Sequence, residues 1–224
     1  MAPVVSRIGW VIAVVSVCAL AGCSSPTKGP SPKARVALWN GEDFAGWHRY
    51  VAESVDVNNV WRIHLHVLHC TGKPDGYMRT VEKYKNYRLH VEWRWPQAPG
   101  NSGILLHMNE PEQLWPTCIE CQLKAGSAGD FVLMNGATLT VNRIARQNPT
   151  KQFVVVEKRS PTSEKPAGQW NICEIQCDKG TIRCTINGVL QNEGIKAKPN
   201  LGWIGLQSEG TPIEFRNIYL LPAD

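Results

Sequence analysis

Several features that mark other classes of protein are missing from this chain of 224 residues. No block of Lys or Arg is long enough to indicate nucleic-acid binding, so nucleic acid is not expected among its partners. No segment keeps a helical period over three turns, and no apolar run reaches the roughly 20 residues of a membrane-spanning helix. The composition, 43% hydrophobic and 19% charged, also excludes a disordered chain. Nine Trp, nineteen Gly and fifteen Pro instead favour a turn-rich β protein.

The first 35 residues have the pattern of a targeting segment followed by a tether. After Arg7, residues 8–20 form an apolar run of about a dozen positions, as in a signal peptide. The run ends on Leu20-Ala21-Gly22-Cys23, which resembles a bacterial lipobox. We therefore predict a signal peptide over 1–22, a lipidated Cys23 and a flexible Ser/Pro-rich tether over 23–35. The predicted location is the cell envelope, anchored by lipid to a membrane on its periplasmic or cell-surface side. The alternative is an ordinary secretory signal that happens to contain Cys.

Residues 36–224 carry short strand-like segments separated by turn residues. The predicted strands are 60–68, 87–95, 103–108, 117–123, 170–178, 181–190, 203–207 and 213–220. Lys179-Gly180 is typical of a two-residue hairpin turn, and 153–157 adds a strand inside a long polar segment. The pattern predicts a single all-β domain over 36–224, an antiparallel β-sandwich.

Strand alternation places polar side chains on one face of three predicted strands. These side chains are His90, Glu92 and Arg94 in 87–95, His107 in 103–108, and Glu120 and Gln122 in 117–123. If the three strands are neighbours, the six side chains form one polar surface. We predict that this surface binds the ligand.

Six cysteines lie beyond Cys23, and they allow too many pairings for the sequence to choose among them. They are Cys70, Cys118, Cys121, Cys173, Cys177 and Cys184. Cys118 and Cys121 are three positions apart on one strand, on opposite faces and roughly 10 Å apart, which is beyond disulfide reach. Cys184 falls diagonal to Cys173 and Cys177 in the predicted hairpin. A bridge from Cys184 to one of them and three reduced core thiols are both compatible with the pattern.

Three histidines, His64, His66 and His69, are close enough in sequence to suggest a metal site. In a continuous strand His64 and His66 share one face and His69 lies on the other, so the three cannot converge without a bulge. We therefore predict structural or exposed histidines rather than metal ligands.

Ordered motifs over residues 36–221 resemble one known family. They are Leu38-Trp39-Asn40-Gly41, Gly46-Trp47, Trp61, Val67-Leu68, residues 89–95 (LHVEWRW), Gly100-Asn101-Ser102-Gly103-Ile104, Glu120 with Gln122, Glu164-Lys165-Pro166 with Gly168, Trp170-Asn171, Asn187-Gly188-Val189, Gly205-Leu206-Gln207 and Phe215-Arg216-Asn217-Ile218. In this order they are similar to the 3-keto-disaccharide hydrolases, also described as 3-keto-glucoside lyase/hydratases. The chain has His107 where that family usually carries Arg, and Ser208-Glu209 where it often carries Asp-His. The resemblance implies a concanavalin A-like jelly roll with a sheet that faces carbohydrate.

The resemblance also implies a carbohydrate-active enzyme that cleaves 3-keto-glucosides or related disaccharides, a glycoside hydrolase or lyase. The ketone at C3 acidifies the C2 proton, so a base that removes this proton expels the C1 substituent, and addition of water completes a net hydrolysis. We predict Glu120 and His107 as the catalytic residues. The predicted substrate-binding residues are Gln122, Glu92, Arg94, His90, Asn101 and Trp115. Arg94, His90 or a divalent cation with unassigned ligands would stabilise the enolate oxygen.

Other interpretations stay open at this point. Glu92 and Arg94 could form a structural ion pair, and Glu92 with Glu120 could be the carboxylate pair of an ordinary glycosidase. The domain could also be a non-catalytic carbohydrate-binding module, or a scaffold of the envelope, because a fold does not determine a function.

Overall fold

The computed structural model describes residues 35–148 and 150–223, all within one unit of the chain. The predicted signal peptide, Cys23 and nearly all of the tether lie outside the described residues. The strands are β1 (Val36–Ala37), β2 (Trp47–Val51), β3 (Trp61–His64), β4 (Val67–Cys70), β5 (Gly76–Thr80), β6 (Tyr87–Arg94), β7 (Gly103–Asn109), β8 (Thr117–Gln122), β9 (Phe131–Met134), β10 (Thr138–Val141), β11 (Ile144–Arg146), β12 (Phe153–Val156), β13 (Asn171–Asp178), β14 (Thr181–Ile186), β15 (Val189–Lys198), β16 (Trp203–Ser208) and β17 (Ile213–Pro222). Residues Val57–Asn59 form a single 3₁₀ turn. Within the described ranges no helix is long and apolar enough to cross a membrane.

Two antiparallel sheets form a sandwich. The ten-stranded sheet has the order β11-β10-β15-β14-β13-β6-β17-β4-β3, with β1 paired to β17, and the seven-stranded sheet has the order β12-β9-β8-β7-β16-β5-β2. The main core lies between them and contains large buried side chains such as Trp61, Trp93, Phe131 and Phe215. These side chains alternate with outward-facing residues, as period-2 patterning requires. The predicted antiparallel all-β sandwich is confirmed.

A smaller apolar cluster covers the outer face of the seven-stranded sheet. Its buried members are Tyr77, Leu105, Met108, Cys118, Val132 and Met134, with Tyr50, Trp115 and Trp203 packed against them. We call this surface the outer sheet face. It contrasts with the usual solvated face of an antiparallel sheet, because here the chain itself folds over the strands.

Two of the predicted strands are each divided by a backbone turn. The strand predicted over 60–68 is wrong, because Leu65 and His66 have φ of 50° and 57° and make the turn of the β3–β4 hairpin. The hairpin places His64 and His69 on one face, with ring centroids 6.2 Å apart, so the expected separation of these histidines is also wrong. The segment 181–190 likewise breaks at Asn187.

One disulfide joins the two sheets through the core, between Cys121 on β8 and Cys184 on β14. Neither alternative for the hairpin cysteines holds, because Cys184 bonds to Cys121 of the opposite sheet and to neither Cys173 nor Cys177. Cys173 stays reduced, with its Sγ 4.0 Å from Sγ of Cys121. Cys118 is also reduced and lies on the outer sheet face, so Cys118 and Cys121 do face opposite sides of their strand.

Candidate functional site

The six polar side chains predicted on one surface divide between the two sheets, so that prediction is wrong. Strand β6 pairs with β13 and β17 in the ten-stranded sheet, whereas β7 and β8 are neighbours in the seven-stranded sheet. His90, Glu92 and Arg94 therefore lie on the far side of the sandwich from Glu120. Nothing local in the sequence predicts the partners of β6, since β13 and β17 are far from it along the chain.

The three β6 side chains are engaged in contacts within their own sheet. Glu92 accepts hydrogen bonds from Arg216 Nε and Asn217 Nδ2, each at 2.7 Å. Arg94 donates from Nε to Glu214 at 2.5 Å. Both residues thus have cross-strand partners on β17 rather than each other. The structure therefore does not bring them together with Glu120.

His90 belongs to the same surface and stacks on Tyr219 with ring centroids 4.5 Å apart. The alternative of an ordinary glycosidase with Glu92 and Glu120 also fails. The two carboxylates point away from each other on sheets that pack roughly 10 Å apart, whereas such pairs flank one glycosidic bond.

His107 faces the core rather than the outer sheet face. The register of β7 shifts between Leu106 and Asn109, and His107 has a φ of 54°, so this bulge turns its side chain inward. The imidazole is 1% exposed and meets the edge of Tyr87, a core residue of the opposite sheet, at 5.6 Å between centroids. Burial lowers the pKa of His107 to about 4, although the backbone at Lys85 and Pro199 acts in the opposite direction. The predicted place of His107 beside Glu120 is wrong.

Glu120 lies on the outer sheet face, where β8 pairs with β7. Its backbone is opposite Leu105, and its side chain runs along the sheet to Gly103. A Cβ at Gly103 would stand 1.9 Å from Oε1 of Glu120, so the glycine provides the space that the carboxyl group occupies. Glu120 is only 2% exposed, and its Oε1 has no hydrogen-bond partner among the described residues. A buried carboxyl oxygen without a donor is costly, and it marks the place where a ligand hydroxyl or a cation would bind.

The amide side chains of Gln207 and Asn101 belong to the same sheet region as Glu120, and each also has a buried oxygen without a partner among the described residues. Gln207 follows Leu206, the partner of Ile104, and so lies beside Gly103 on the next strand of the sheet. Oε1 of Gln207 and Oδ1 of Asn101 are buried acceptors without a partner in the described part of the chain. With Oε1 of Glu120, these are three buried acceptors that lack a partner among the described residues, and they can receive hydrogen bonds from a polyhydroxylated ligand.

A second carboxylate, Glu209, lies at the end of β16 next to this group. It forms an isolated backbone bridge with Asn101. Burial, followed by the negative charge of Glu209, raises the pKa of Glu120 well above its ordinary range. Burial, followed by the charge of Asp75, also raises the pKa of Glu209, while a hydrogen bond from Asn101 and the charge of Lys124 act to lower it. Perturbed carboxyl groups of this kind are typical of functional sites.

Of the other predicted binding residues, Gln122 and Trp115 also lie on this side of the sandwich. Gln122 pairs with Gly103, and its Oε1 accepts hydrogen bonds from the backbone N–H groups of Leu123 and Lys124. Trp115 packs on the apolar cluster of the outer sheet face, edge-on to Phe153 at 5.9 Å between centroids. The structure thus brings Glu120, Gln122, Asn101 and Trp115 to one side of one sheet.

The connection between β7 and β8, residues 110–116, crosses the outer sheet face. Glu112 in this loop lies 2.9 Å from Nε2 of His48 and forms an ion pair with Arg79 at 3.2 Å, on the β2–β5 side of the sheet. Leu114 lines a groove of about 460 Å³ together with Asp75 and the neighbouring Lys73-Pro74. The loop thus covers part of the outer sheet face, and the groove opens next to Asp75.

Gly103 gives a direct test of the space around Glu120. We expect Gly103→Ala to displace the carboxyl group and to lower any activity of this site by at least tenfold, because about 1 Å of misplacement is costly in a catalytic site. The thermal midpoint should change less than the activity, since all three clashing atoms belong to the Glu120 side chain and none to the backbone. Activity and Tm measured on one preparation check this. Unchanged activity with an unchanged Tm would contradict the placement of Glu120.

The sequence interpretation missed Gln207, Glu209 and Asp75. Gln207 was within a recognised motif, Gly205-Leu206-Gln207, and strand alternation alone puts it on the face opposite the core residue Leu206. That signal was available. Turns and strand pairing bring Glu209 and Asp75 to the site, and no local sequence pattern predicts their positions.

Comparison with known proteins agrees with this architecture. The sequence profile of a family described as the 3-keto-alpha-glucoside-1,2-lyase-like domain matches residues 34–221. A curated protein of Bacteroides thetaiotaomicron named 3-keto-disaccharide hydrolase is 23% identical over 165 residues, which are 66% of this chain and 53% of that protein. The chain thus spans about half the length of this curated relative.

Solved structures show the same fold at low sequence identity. A Parabacteroides distasonis protein, described as a candidate glycosyl hydrolase, superposes with a TM-score of 0.61 at 21% identity, covering 84% of this chain and 93% of that one. The β-glucanase of Bacillus licheniformis superposes with a TM-score of 0.54 at 12% identity, covering 88% of this chain and all of that one (100%). These neighbours confirm the predicted jelly-roll sandwich. With the profile covering nearly the whole described domain, the chain belongs to the 3-keto-alpha-glucoside-1,2-lyase-like domain family.

Proposed function

We propose that this protein is a carbohydrate-active enzyme that cleaves 3-keto-glucosides by removal of the C2 proton, elimination of the C1 substituent and addition of water. The observation that carries the proposal is the buried Glu120 carboxyl on the outer sheet face of a member of this family, with an Oε1 that has no partner among the described residues. Its relative in Bacteroides thetaiotaomicron is named for the hydrolysis of 3-keto-disaccharides.

Glu120 is the base in this proposal. A general base works best when its pKa is near the working pH, and burial moves the pKa of Glu120 upward from the ordinary carboxylate range. The unpartnered oxygens of Gln207 and Asn101 would accept hydrogen bonds from sugar hydroxyls and hold C2 near the carboxylate. His107, Arg94 and His90 have no part in the reaction, because they lie in the core or on the other sheet.

A divalent cation fits the chemistry of the same oxygens. Asn101 and Gln207 offer amide oxygens, which Mg²⁺ and Ca²⁺ accept as ligands, and Glu120 stays free to take the C2 proton. When bound there, such an ion would supply positive charge for a developing enolate oxygen.

The test is incubation of the purified protein with a 3-keto-disaccharide, with and without divalent metal, followed by measurement of the released sugars. Release of 3-keto-glucose supports the proposal. Retention of the glycan without turnover would instead support a carbohydrate-binding module on the same fold. If the protein shows no turnover and does not retain the glycan, a carbohydrate function is contradicted.

We also propose that a lipid on Cys23 anchors the mature protein to a membrane of the cell envelope. The support is the lipobox-like Leu20-Ala21-Gly22-Cys23 after a short apolar run. Intact mass of membrane-extracted protein should show acyl groups on Cys23, and an unlipidated mature chain would contradict the anchor.

A further inference from the structure

Apolar side chains continue from Glu120 toward β12, the edge strand of the seven-stranded sheet. Glu120 on β8 is opposite Val132 on β9, and Val132 is opposite Val155 on β12. Residues that are directly opposite each other in an antiparallel pair point to the same face of the sheet. Val155 therefore lies on the outer sheet face, two strands and roughly 10 Å away from Glu120.

The next row of side chains on the same face is apolar as well. Cys118 is opposite Met134, and Met134 is opposite Phe153. Trp115 packs edge-on against Phe153, with ring centroids 5.9 Å apart. Met134 is buried, whereas Phe153 is 39% exposed and Val155 is 59% exposed. We call Trp115, Phe153 and Val155 the apolar shelf, and its exposed surface adjoins the candidate site.

On the other side of Glu120 the same face is polar. The Glu120 carboxyl extends over Gly103 on β7, and the amide oxygens of Asn101 and Gln207, which lack a partner among the described residues, lie on that side. Glu120 thus has hydrogen-bond acceptors toward β16 and hydrocarbon toward β12. A glucoside with an apolar C1 substituent has the same division, because its sugar ring is polyhydroxylated and its leaving group is not.

Two polar side chains beside the apolar shelf already have partners within the chain. Asn135 Nδ2 donates to the carbonyl oxygen of Trp115, and Thr117 Oγ1 donates to the carbonyl oxygen of Asn135. The exposed Phe153 and Val155 side chains offer no hydrogen bonds, so a second sugar above them would gain none there. An apolar leaving group would instead cover exposed hydrocarbon, which is favourable.

A groove next to the apolar shelf gives the leaving group room. It has a volume of about 470 Å³ and is lined by Phe153 and Val155 together with Arg146 and Lys151. Grooves of this size hold small organic molecules. The shelf and the groove thus extend the candidate site beyond the sugar on which Glu120 would act.

We propose that the apolar shelf binds the leaving group, so that this enzyme prefers 3-keto-glucosides of apolar alcohols to 3-keto-disaccharides. The inference rests on the proposed function of Glu120 and adds the chemical class of the C1 substituent. The sugar ring lies over the amide oxygens of Asn101 and Gln207, with C2 at Glu120, and the C1 substituent lies toward β12. Binding on the shelf then holds the reacting part of the sugar in position for the base.

Three substrates that differ in their leaving group test this preference: the 3-keto-glucosides of methanol, of cyclohexylmethanol and of glucose, all of the same anomer. Methanol and cyclohexylmethanol are alkanols of similar acidity, so a difference between their rates reports binding rather than intrinsic reactivity. We expect kcat/KM for the cyclohexylmethyl glucoside to be at least tenfold above that for the methyl glucoside, and above that for the disaccharide. A disaccharide that reacts as fast as the cyclohexylmethyl glucoside would overturn this inference alone, whereas no turnover of any of the three would overturn it together with the proposed function.

Substitutions on the apolar shelf test its role directly. In the double variant Phe153→Ser/Val155→Ser, the ratio of kcat/KM between the cyclohexylmethyl and methyl glucosides should fall about tenfold, and in Val155→Ser alone about threefold. Val189→Ser is the matched control, because Val189 is a 40% exposed residue of the ten-stranded sheet, and it should keep the wild-type ratio. An unchanged ratio in the shelf variants would overturn the assignment, and so would a change confined to the oligomeric state in size-exclusion chromatography, which would assign the shelf to a second copy of the chain.

Discussion

Replacing Glu120 with glutamine should reduce turnover of a 3-keto-disaccharide by about 10²–10⁴-fold, the usual contribution of a general base. Glutamine has nearly the same shape and fits over Gly103, but it cannot accept the C2 proton. Steady-state kinetics on both proteins measure the effect. The loss should appear in kcat, because sugar hydroxyls can still be held by Gln207 and Asn101.

The same variant should be at least as stable as the wild type, and the sign follows from the direction of the pKa shift. Burial raises the pKa of Glu120, so the folded state binds more protons than the unfolded state above the ordinary carboxylate pKa. Wild-type stability contributed by this group is therefore present at low pH and is lost as pH rises through the folded-state pKa. Glutamine removes this dependence, so Tm of the variant should fall less between pH 5 and pH 8.

Glu92→Gln is the matched control for catalysis. It makes the same chemical change on the ten-stranded sheet, where Glu92 binds Arg216 and Asn217. We expect it to keep turnover and to lose a little stability. If Glu120→Gln kept wild-type turnover, or if Glu92→Gln lost it, the site would have been placed on the wrong sheet.

Removal of the disulfide between the sheets should have the largest effect on stability. Cys121 and Cys184 are 63 residues apart, and a loop of that size corresponds to about 4 kcal/mol of lost chain entropy in the unfolded state. For a domain of this size the double substitution of both residues by Ala should lower Tm by roughly 8–16 °C. Differential scanning calorimetry under non-reducing conditions measures it.

Cys177→Ala separates the disulfide from the loss of a buried sulfur. Cys177 is a fully buried, reduced residue on β13, so its substitution leaves a similar cavity and breaks no covalent bond. Its Tm should fall much less than that of the double variant. Peptide mapping without reductant should recover Cys121 joined to Cys184, and recovery of Cys173 joined to Cys184 would contradict the pairing across the core.

Local patterning anticipated most strands and the faces of several of them. The alternation that put Glu120 and Gln122 opposite Ile119 and Cys121 is a property of the backbone, so it survives any arrangement of the sheets. The two-residue turn at Lys179-Gly180 is likewise local and is present, since Asp178 pairs with Thr181.

The predicted strand bounds and side-chain faces are wrong where the chain contains a bulge, a turn without glycine or a strand partner that is distant in sequence. Alternation along β7 predicts that His107 faces the outer sheet face. In the structure it faces the core, because the bulge with positive φ at His107 reverses the side of the sheet that the side chain faces. The β3–β4 turn at Leu65 and His66 contains no glycine, so its positive φ values gave no sequence signal.

By itself the sequence determined that this protein is an antiparallel all-β sandwich of a particular family, with Glu120 on a surface opposite the core. The sandwich and the face of Glu120 follow from side-chain alternation within single strands, and the family follows from the order of motifs along the chain. Only the tertiary structure decided that β6 and β8 lie in different sheets, that Cys121 meets Cys184, and that Glu209 and Gln207 join Glu120. Strand order depends on the free energy of packing the whole core, and that energy is shared among residues far apart in the chain.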